Sequence, residues 1–284
     1  MTWIFPAVLC AIFFGGQGVF VRYLHLKKIS GTPVILFSYF LFSLPILFIP
    51  AAEAGFQPIL KGFWPVSFLV AAGNVAGFYA YINALKFSEA SLVLPVLATS
   101  PLFVIPAGIL ILGETPAPGA LGAILIIVAG CYILTCGKNL LEPFKKIKEE
   151  RGIRWAFFTV LVWAVVANLD KIALAKSSVK IYPFLVSLEI TILAMPVFFK
   201  GLQTITKRNI KFLIGCGFFN AGVFLTHIAA LALTKVSYLI SVKRSGVLIG
   251  ILGGIIFFRE KEPARRVLAA VIILAGNILL YLNS

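Results

Sequence analysis

Charge is what this chain has little of. Only 12% of its 284 residues are Asp, Glu, Lys or Arg, against about 25% in an ordinary soluble domain. With 61% hydrophobic residues, that shortage excludes a soluble globular protein. Cysteine is scarce too. Cys10, Cys131, Cys136 and Cys216 lie inside or at the ends of apolar stretches, and no C-x-x-C pair occurs, which speaks against metal, redox and disulfide roles. The H-E-x-x-H, G-x-S-x-G and phosphate-loop patterns are missing as well, so neither an enzyme nor a bound cofactor is expected. Alternating-polarity segments of about ten residues, the mark of a membrane barrel, do not occur. The first apolar stretch lacks a basic leading region and a small-residue cleavage pattern, and is read as a retained helix and not a signal peptide.

What fills the chain is apolar sequence of spanning length. Ten stretches run approximately over residues 3–21, 32–51, 63–85, 90–112, 117–136, 155–175, 181–199, 210–233, 236–258 and 267–282. A hydrocarbon core about 30 Å thick needs about 20 residues of helix. Lipid offers backbone groups no water, so each stretch should be α-helical. The expected fold is an all-α integral membrane protein of ten transmembrane helices with no separate soluble domain, multi-pass in the cytoplasmic (inner) membrane.

The net charge of +15 does not mark a nucleic-acid binder, because the basic residues are spread over many short loops. Loops joining helices 1–2, 3–4, 5–6, 7–8 and 9–10 hold eighteen of the 25 Lys and Arg residues, and the remaining loops hold four: Lys61, Lys176, Lys180 and Lys235. Positive loops stay in the cytoplasm, so both termini should face away from it.

The two halves resemble each other. Adding 146 to a residue number carries Asn74 to Asn220, Phe78 to Phe224, Ser91 to Ser237, Gly108 to Gly254 and Glu114 to Glu260. The same step carries Ile126-Ile127 to Ile272-Ile273 and Ala129-Gly130 to Ala275-Gly276. Trp3, Phe5, Val8 and Leu9 meet Trp155, Phe157, Val160 and Leu161 at a slightly longer offset. Apolar composition alone would not keep polar Asn, Ser and Glu in register. The expected organisation is a first five-helix repeat over 1–137, a basic connecting loop over 138–152 and a second repeat over 153–284. An odd number of crossings makes the repeats inverted, which puts a substrate site near the midplane between them.

Against that background Lys243-Arg244 stands out. The pair sits inside the ninth stretch, eight residues after Lys235 and fifteen before Arg259. A cation at the centre of a bilayer costs at least about 2.5–3.5 kcal/mol, so such groups mark solute paths or pair with acids. Both readings apply here: a binding site for an anionic substrate, or a structural ion pair. Glu189 lies about midway between Lys180 and Lys200 and is read as either a counter-ion for the pair or a proton carrier. Asp170 is a second candidate proton carrier; it pairs locally or faces the cavity, while its neighbour Lys171 snorkels to the surface. Asn74, Asn220 and His227 are candidate substrate ligands, with interhelical hydrogen bonding as the structural alternative. Gln17, Tyr79, Tyr81 and Asn83 are weaker candidates, and Arg22 reads as an interfacial anchor. Gly246, Gly250 and Gly254 form a small-residue face for close helix packing. Pro95, Pro101 and Pro106 should kink the fourth helix and free carbonyls.

Ten helices as five plus five, Gly113-Glu114 and Arg259-Glu260 closing the fourth and ninth, and the A-x-x-I-I-x-A-G pattern from Ala123 to Gly130 carry a family resemblance. Its counterpart in the second half is Ala269, Ile272, Ile273, Ala275 and Gly276. The chain resembles the EamA branch of the drug/metabolite transporter superfamily. That resemblance implies secondary transport of a small organic metabolite, often as export, by a monomer or homodimer in the lipid bilayer. Val242-Lys243-Arg244 is similar to the V-K-R of plastid sugar-phosphate translocators, which implies contact between these basic residues and substrate phosphate. A further basic residue in the fourth helix of those translocators corresponds to Leu97 here, so a single anionic group, carboxylate or phosphate, is the implied requirement. Proton-coupled export of amino acids or drug-like compounds is the alternative, and a flippase or intramembrane enzyme acting on a lipid-linked phosphate is a third.

Overall fold

A computed structural model describes residues 2–55, 59–88, 93, 96–135, 149–199, 205, 209–249 and 263–284. Every regular element among them is an α-helix. The first half contributes α1 (Ile4–Leu26), α2 (Thr32–Leu41), α3 (Leu44–Glu53), α4 (Phe63–Phe87), α5 (Pro101–Leu112) and α6 (Pro118–Thr135). The second contributes α7 (Arg151–Ala175), α8 (Tyr182–Phe199), α9 (Ile210–Leu231), α10 (Val236–Arg244) and α11 (Pro263–Leu282). Among the described residues, six segments are long and apolar enough to cross a membrane, one of them α2 and α3 taken together; shorter apolar helices run over Val96–Leu112, Pro118–Ile133 and Ala270–Leu282.

Among the described residues, three of the ten expected helices are interrupted. The second turns at Phe42-Ser43 between α2 and α3. Pro45 enters α3 at its first turn and has no N–H to continue the ladder, while the Ser43 hydroxyl donates to the Phe40 carbonyl at 2.7 Å. The fourth turns at Thr99-Ser100, immediately before Pro101 at the start of α5. The ninth turns at Ser245-Gly246, just past α10.

The last two interruptions are one feature built twice. The Thr99 and Ser100 amides donate three residues back, to Val96 and Leu97, as those of Ser245 and Gly246 do to Val242 and Lys243. Leu102 and Phe103 then donate to Thr99 and Ser100, as Leu248 and Ile249 do to Ser245 and Gly246. All four bonds recur at the 146-residue offset that matches the halves.

Packing follows the same exchange of halves. α4 lies along α7 as α9 lies along α1, α5 meets α7 as α10 meets α1, and α8 meets α4 as α2 meets α9. α6 and α11 pack on each other, and the repeated Ala-Gly explains how. A Cβ added to Gly130 would sit 2.8 Å from Ile273, and one added to Gly276 would sit 2.7 Å from Ile127. Each glycine admits the isoleucine of the other repeat, so the pattern read from the sequence is a helix-crossing site. The bare backbone of Gly246 lies against Ala11 and Gly15 of α1, which draws the ninth helix onto the first. Gly250, Gly254, Pro95, Cys136 and Glu260 lie outside the described residues.

Candidate substrate cavity between the halves

The interruptions of the fourth and ninth helices meet beside one cavity. Its atom-free space is about 550 Å³ when the solvent at its open mouth is counted. The first half supplies Phe14, Asn74, Phe78 and Ser100 to its wall, and the second supplies Trp163, Phe224, His227, Lys243 and Arg244. These residues come from helices that correspond between the repeats: α1 and α7, α4 and α9, and the interrupted fourth and ninth.

Lys243 and Arg244 are the last two residues of α10. At a helix C-terminus the carbonyl dipoles favour a cation, which offsets part of the cost of burying them. Arg244 is 6% exposed, and its Nε donates to the Ser100 hydroxyl at 2.6 Å. Its Nη1 is buried with no partner. The Lys243 ammonium lies 4.9 Å from the centre of the Phe14 ring; the Arg244 guanidinium lies 5.2 Å from the same ring and 5.8 Å from that of Trp163. Aromatic faces attract cations most where water is excluded. Among the described residues, neither cation has a carboxylate within ion-pair distance, and none of the residues lining the cavity is acidic.

Glu189 is not beside the pair. The Ser67 hydroxyl donates to its Oε1 at 2.9 Å, tying α8 to α4, and its Oε2 has no partner. The expected counter-ion contact with Lys243 or Arg244 is absent from this structure because the serine holds Glu189 elsewhere. Asp170 is buried and accepts the Tyr182 hydroxyl at 2.6 Å, a local pairing between α7 and α8. Lys171 does not simply reach for the surface: it pairs with Glu114 and donates to the Thr234 carbonyl at 2.8 Å. The other Glu114 oxygen accepts the Val236 amide at the start of α10, at 3.2 Å. Gly113 makes this possible by closing α5 with a φ of 68°, a conformation that favours glycine. One carboxylate therefore clamps the ends of α5, α7 and α10.

The repeat-related amides have separate surroundings. Asn74 lines the cavity, whereas Asn220 donates to the Ser43 hydroxyl at 3.4 Å and braces the interruption in the second helix. His227 lines the cavity with Nδ1 unpartnered. Gln17 is fully buried, and both its amide atoms lack partners. Tyr81 stacks against Phe14 and leans on Trp163, Tyr79 contacts Trp155 edge-on, and Asn83 accepts the Thr32 hydroxyl at 3.1 Å. Leu97, at the position where translocators carry a basic residue, is buried in the apolar core.

Sequence reasoning missed Ser100 and most of the aromatic wall as site residues. Phe14 and Trp163 carry no local signal, because 26 phenylalanines and four tryptophans serve lipid-facing and buried surfaces alike. Phe78 and Phe224 did carry one: they match across the repeat, and Phe40 meets both edge-on at 5.2 and 5.8 Å. Ser100 was marked only by the proline that follows it.

Comparison with known proteins agrees with this architecture. No curated protein matches the chain. A solved structure described only as the crystal structure of a protein superimposes with a TM-score of 0.68 over 96% of each chain, at 15% identity; at that identity the likeness is one of fold. The EamA-like transporter family matches twice, over residues 1–136 and 150–282. The protein therefore belongs to the EamA-like transporter family, within the drug/metabolite transporter superfamily.

Proposed function

We propose that this protein is a secondary transporter, an exporter or exchanger, of a small polar organic metabolite carrying a carboxylate or phosphate, working by alternating access in the cytoplasmic membrane. The observation that carries the reading is Arg244, buried at the junction of the two halves with one guanidinium nitrogen unpartnered and a lysine beside it. A desolvated cation with a spare donor is unstable until an anion arrives. Binding energy can then bias one half to rock against the other, because a ligand shifts a conformational equilibrium by its differential affinity for the two states.

Supporting features are the paired interruptions. At the fourth helix the α5 N-terminus, and with it the positive end of a helix dipole, reaches the cavity through Ser100. Interrupted helices whose ends meet a central site are a recurring device of transporters built from inverted repeats. The charge bias of the loops puts both termini outside the cytoplasm in this account. A cytoplasm-only reporter fused after Ser284 should then be silent, and an active one would reverse the orientation.

Purified protein in liposomes should move or exchange a small anionic metabolite without nucleotide. Consumption of substrate in detergent would point to an enzyme instead. Movement of a labelled lipid, with water-soluble metabolites ignored, would point to a flippase. Proton coupling fits Asp170 and Glu189, the two acids that lie inside spanning stretches, and would make an imposed pH gradient accelerate uptake.

A further inference from the structure

Resting on the transport reading, we infer that the solute is an anion with a flat, unsaturated or aromatic body and no ammonium group. The cavity wall carries this on two counts. The first is charge. Lys243 and Arg244 face the space together, and no acid among the described residues lines it. Of the ten acidic residues in the chain, only Asp170 and Glu189 fall within spanning stretches, and each is held by a hydroxyl on another helix, Tyr182 and Ser67 respectively. An amino acid brought to this wall would place its ammonium beside two cations, with no carboxylate among the described lining residues to receive it. Uncompensated like charges repel strongly in a poorly hydrated site, so the site selects against a zwitterion and for a net anion.

The second count is shape. Phe14, Phe78, Trp163 and Phe224 wall the same space. The rings come from two pairs of corresponding helices, α1 with α7 and α4 with α9, and Phe78 and Phe224 also match residue for residue. Phe14 already lies against both cations, so the anion-binding end and the aromatic walls adjoin. A ring or conjugated chain attached to the anion would lie among these faces, where offset or edge-on contacts are favoured over plain apolar burial. A short acyclic acid would satisfy the cations and leave the aromatic walls unfilled. Carboxylate and phosphate share the chemistry that Arg244 recognises.

Four labelled probes separate these requirements in proteoliposome counterflow: phenylpyruvate, phenylalanine, pyruvate and phenyl phosphate. Phenylpyruvate keeps the ring and the anion; phenylalanine adds the ammonium; pyruvate removes the ring; phenyl phosphate changes the anion. The expected result is uptake of phenylpyruvate or phenyl phosphate at least tenfold faster than phenylalanine and pyruvate, with the faster of the two naming the anion. Phenylalanine moving as fast as phenylpyruvate would overturn the charge argument, and pyruvate moving as fast would overturn the shape argument. Uptake of none of the four overturns the inference alone, since the transport reading fails only if a broad panel of anionic metabolites also stays outside. The K243L/R244A protein should lose uptake of the favoured probe, while R244K should keep part of it. Equal uptake by all three proteins would overturn the role given to the pair.

Discussion

The fourth and ninth helices are interrupted by the same four hydrogen bonds at corresponding positions, yet they differ completely in chemistry. Leu97 and Ala98 stand in the first half where Lys243 and Arg244 stand in the second. The first pair is buried in the apolar core; the second lines the cavity between the halves. The frame is thus symmetric, and the charge lies on one side of it. The frame gives each repeat a helix end aimed inward. The asymmetry lets one end hold an anion while the other offers Ser100 as a neutral partner to Arg244.

The comparison can be broken by making the second half carry the residues of the first. K243L/R244A should abolish anion transport, with binding weakened by about 3–5 kcal/mol, the usual cost of removing one partner from a buried charged contact. The same protein should be no less stable in a thermal melt, because a buried arginine and a half-buried lysine with no acidic partner among the described residues are replaced by apolar side chains. Loss of transport together with a lower melting temperature would mean the pair is structural.

A smaller effect is expected at the Glu114 clamp. Its carboxylate and Lys171 are 22% and 27% exposed, so the contact is worth more than a surface pair and less than a buried one. A double-mutant cycle with E114Q and K171M should give a coupling of about 1–2 kcal/mol in thermal stability. Anion affinity should change little, because neither residue reaches the cavity wall. A coupling near zero would remove the clamp from the account.

The smallest effect on binding is expected at Glu189. Since Ser67 holds it away from the cations, E189Q should leave anion affinity within about threefold of the parent. Any effect should fall instead on how uptake responds to a pH gradient. A tenfold loss of affinity would return Glu189 to the binding site.

The frame was legible in the sequence and the cavity only partly so. Spans announce themselves by length and apolarity, and the repeat shows because Asn, Glu and Gly residues keep their register. The interruptions were harder to see. Pro45 and Pro101 mark two of them, but Ser245-Gly246 carries no proline and shows only through its match to Thr99-Ser100. Lys243-Arg244 could be singled out because charge inside lipid needs a reason. The partner expected for them could not be read, because Ser67 looks like any small residue on a packed helix. Aromatic residues were least informative: Phe14 at the cavity and exposed Phe5 occupy the same helix and look alike in a chain this apolar.

If the protein works as proposed, Lys243 and Arg244 hold the anion of the solute in the cavity between the halves. A crystal structure of the protein with 4-bromobenzoate tests it most directly, because anomalous scattering locates the bromine independently of the side chains. The carboxylate should lie within hydrogen-bond distance of Arg244 and Lys243, with the bromine among Phe78, Trp163 and Phe224. Bromine bound elsewhere, with the cavity unoccupied and Arg244 still bonded only to Ser100, would contradict it.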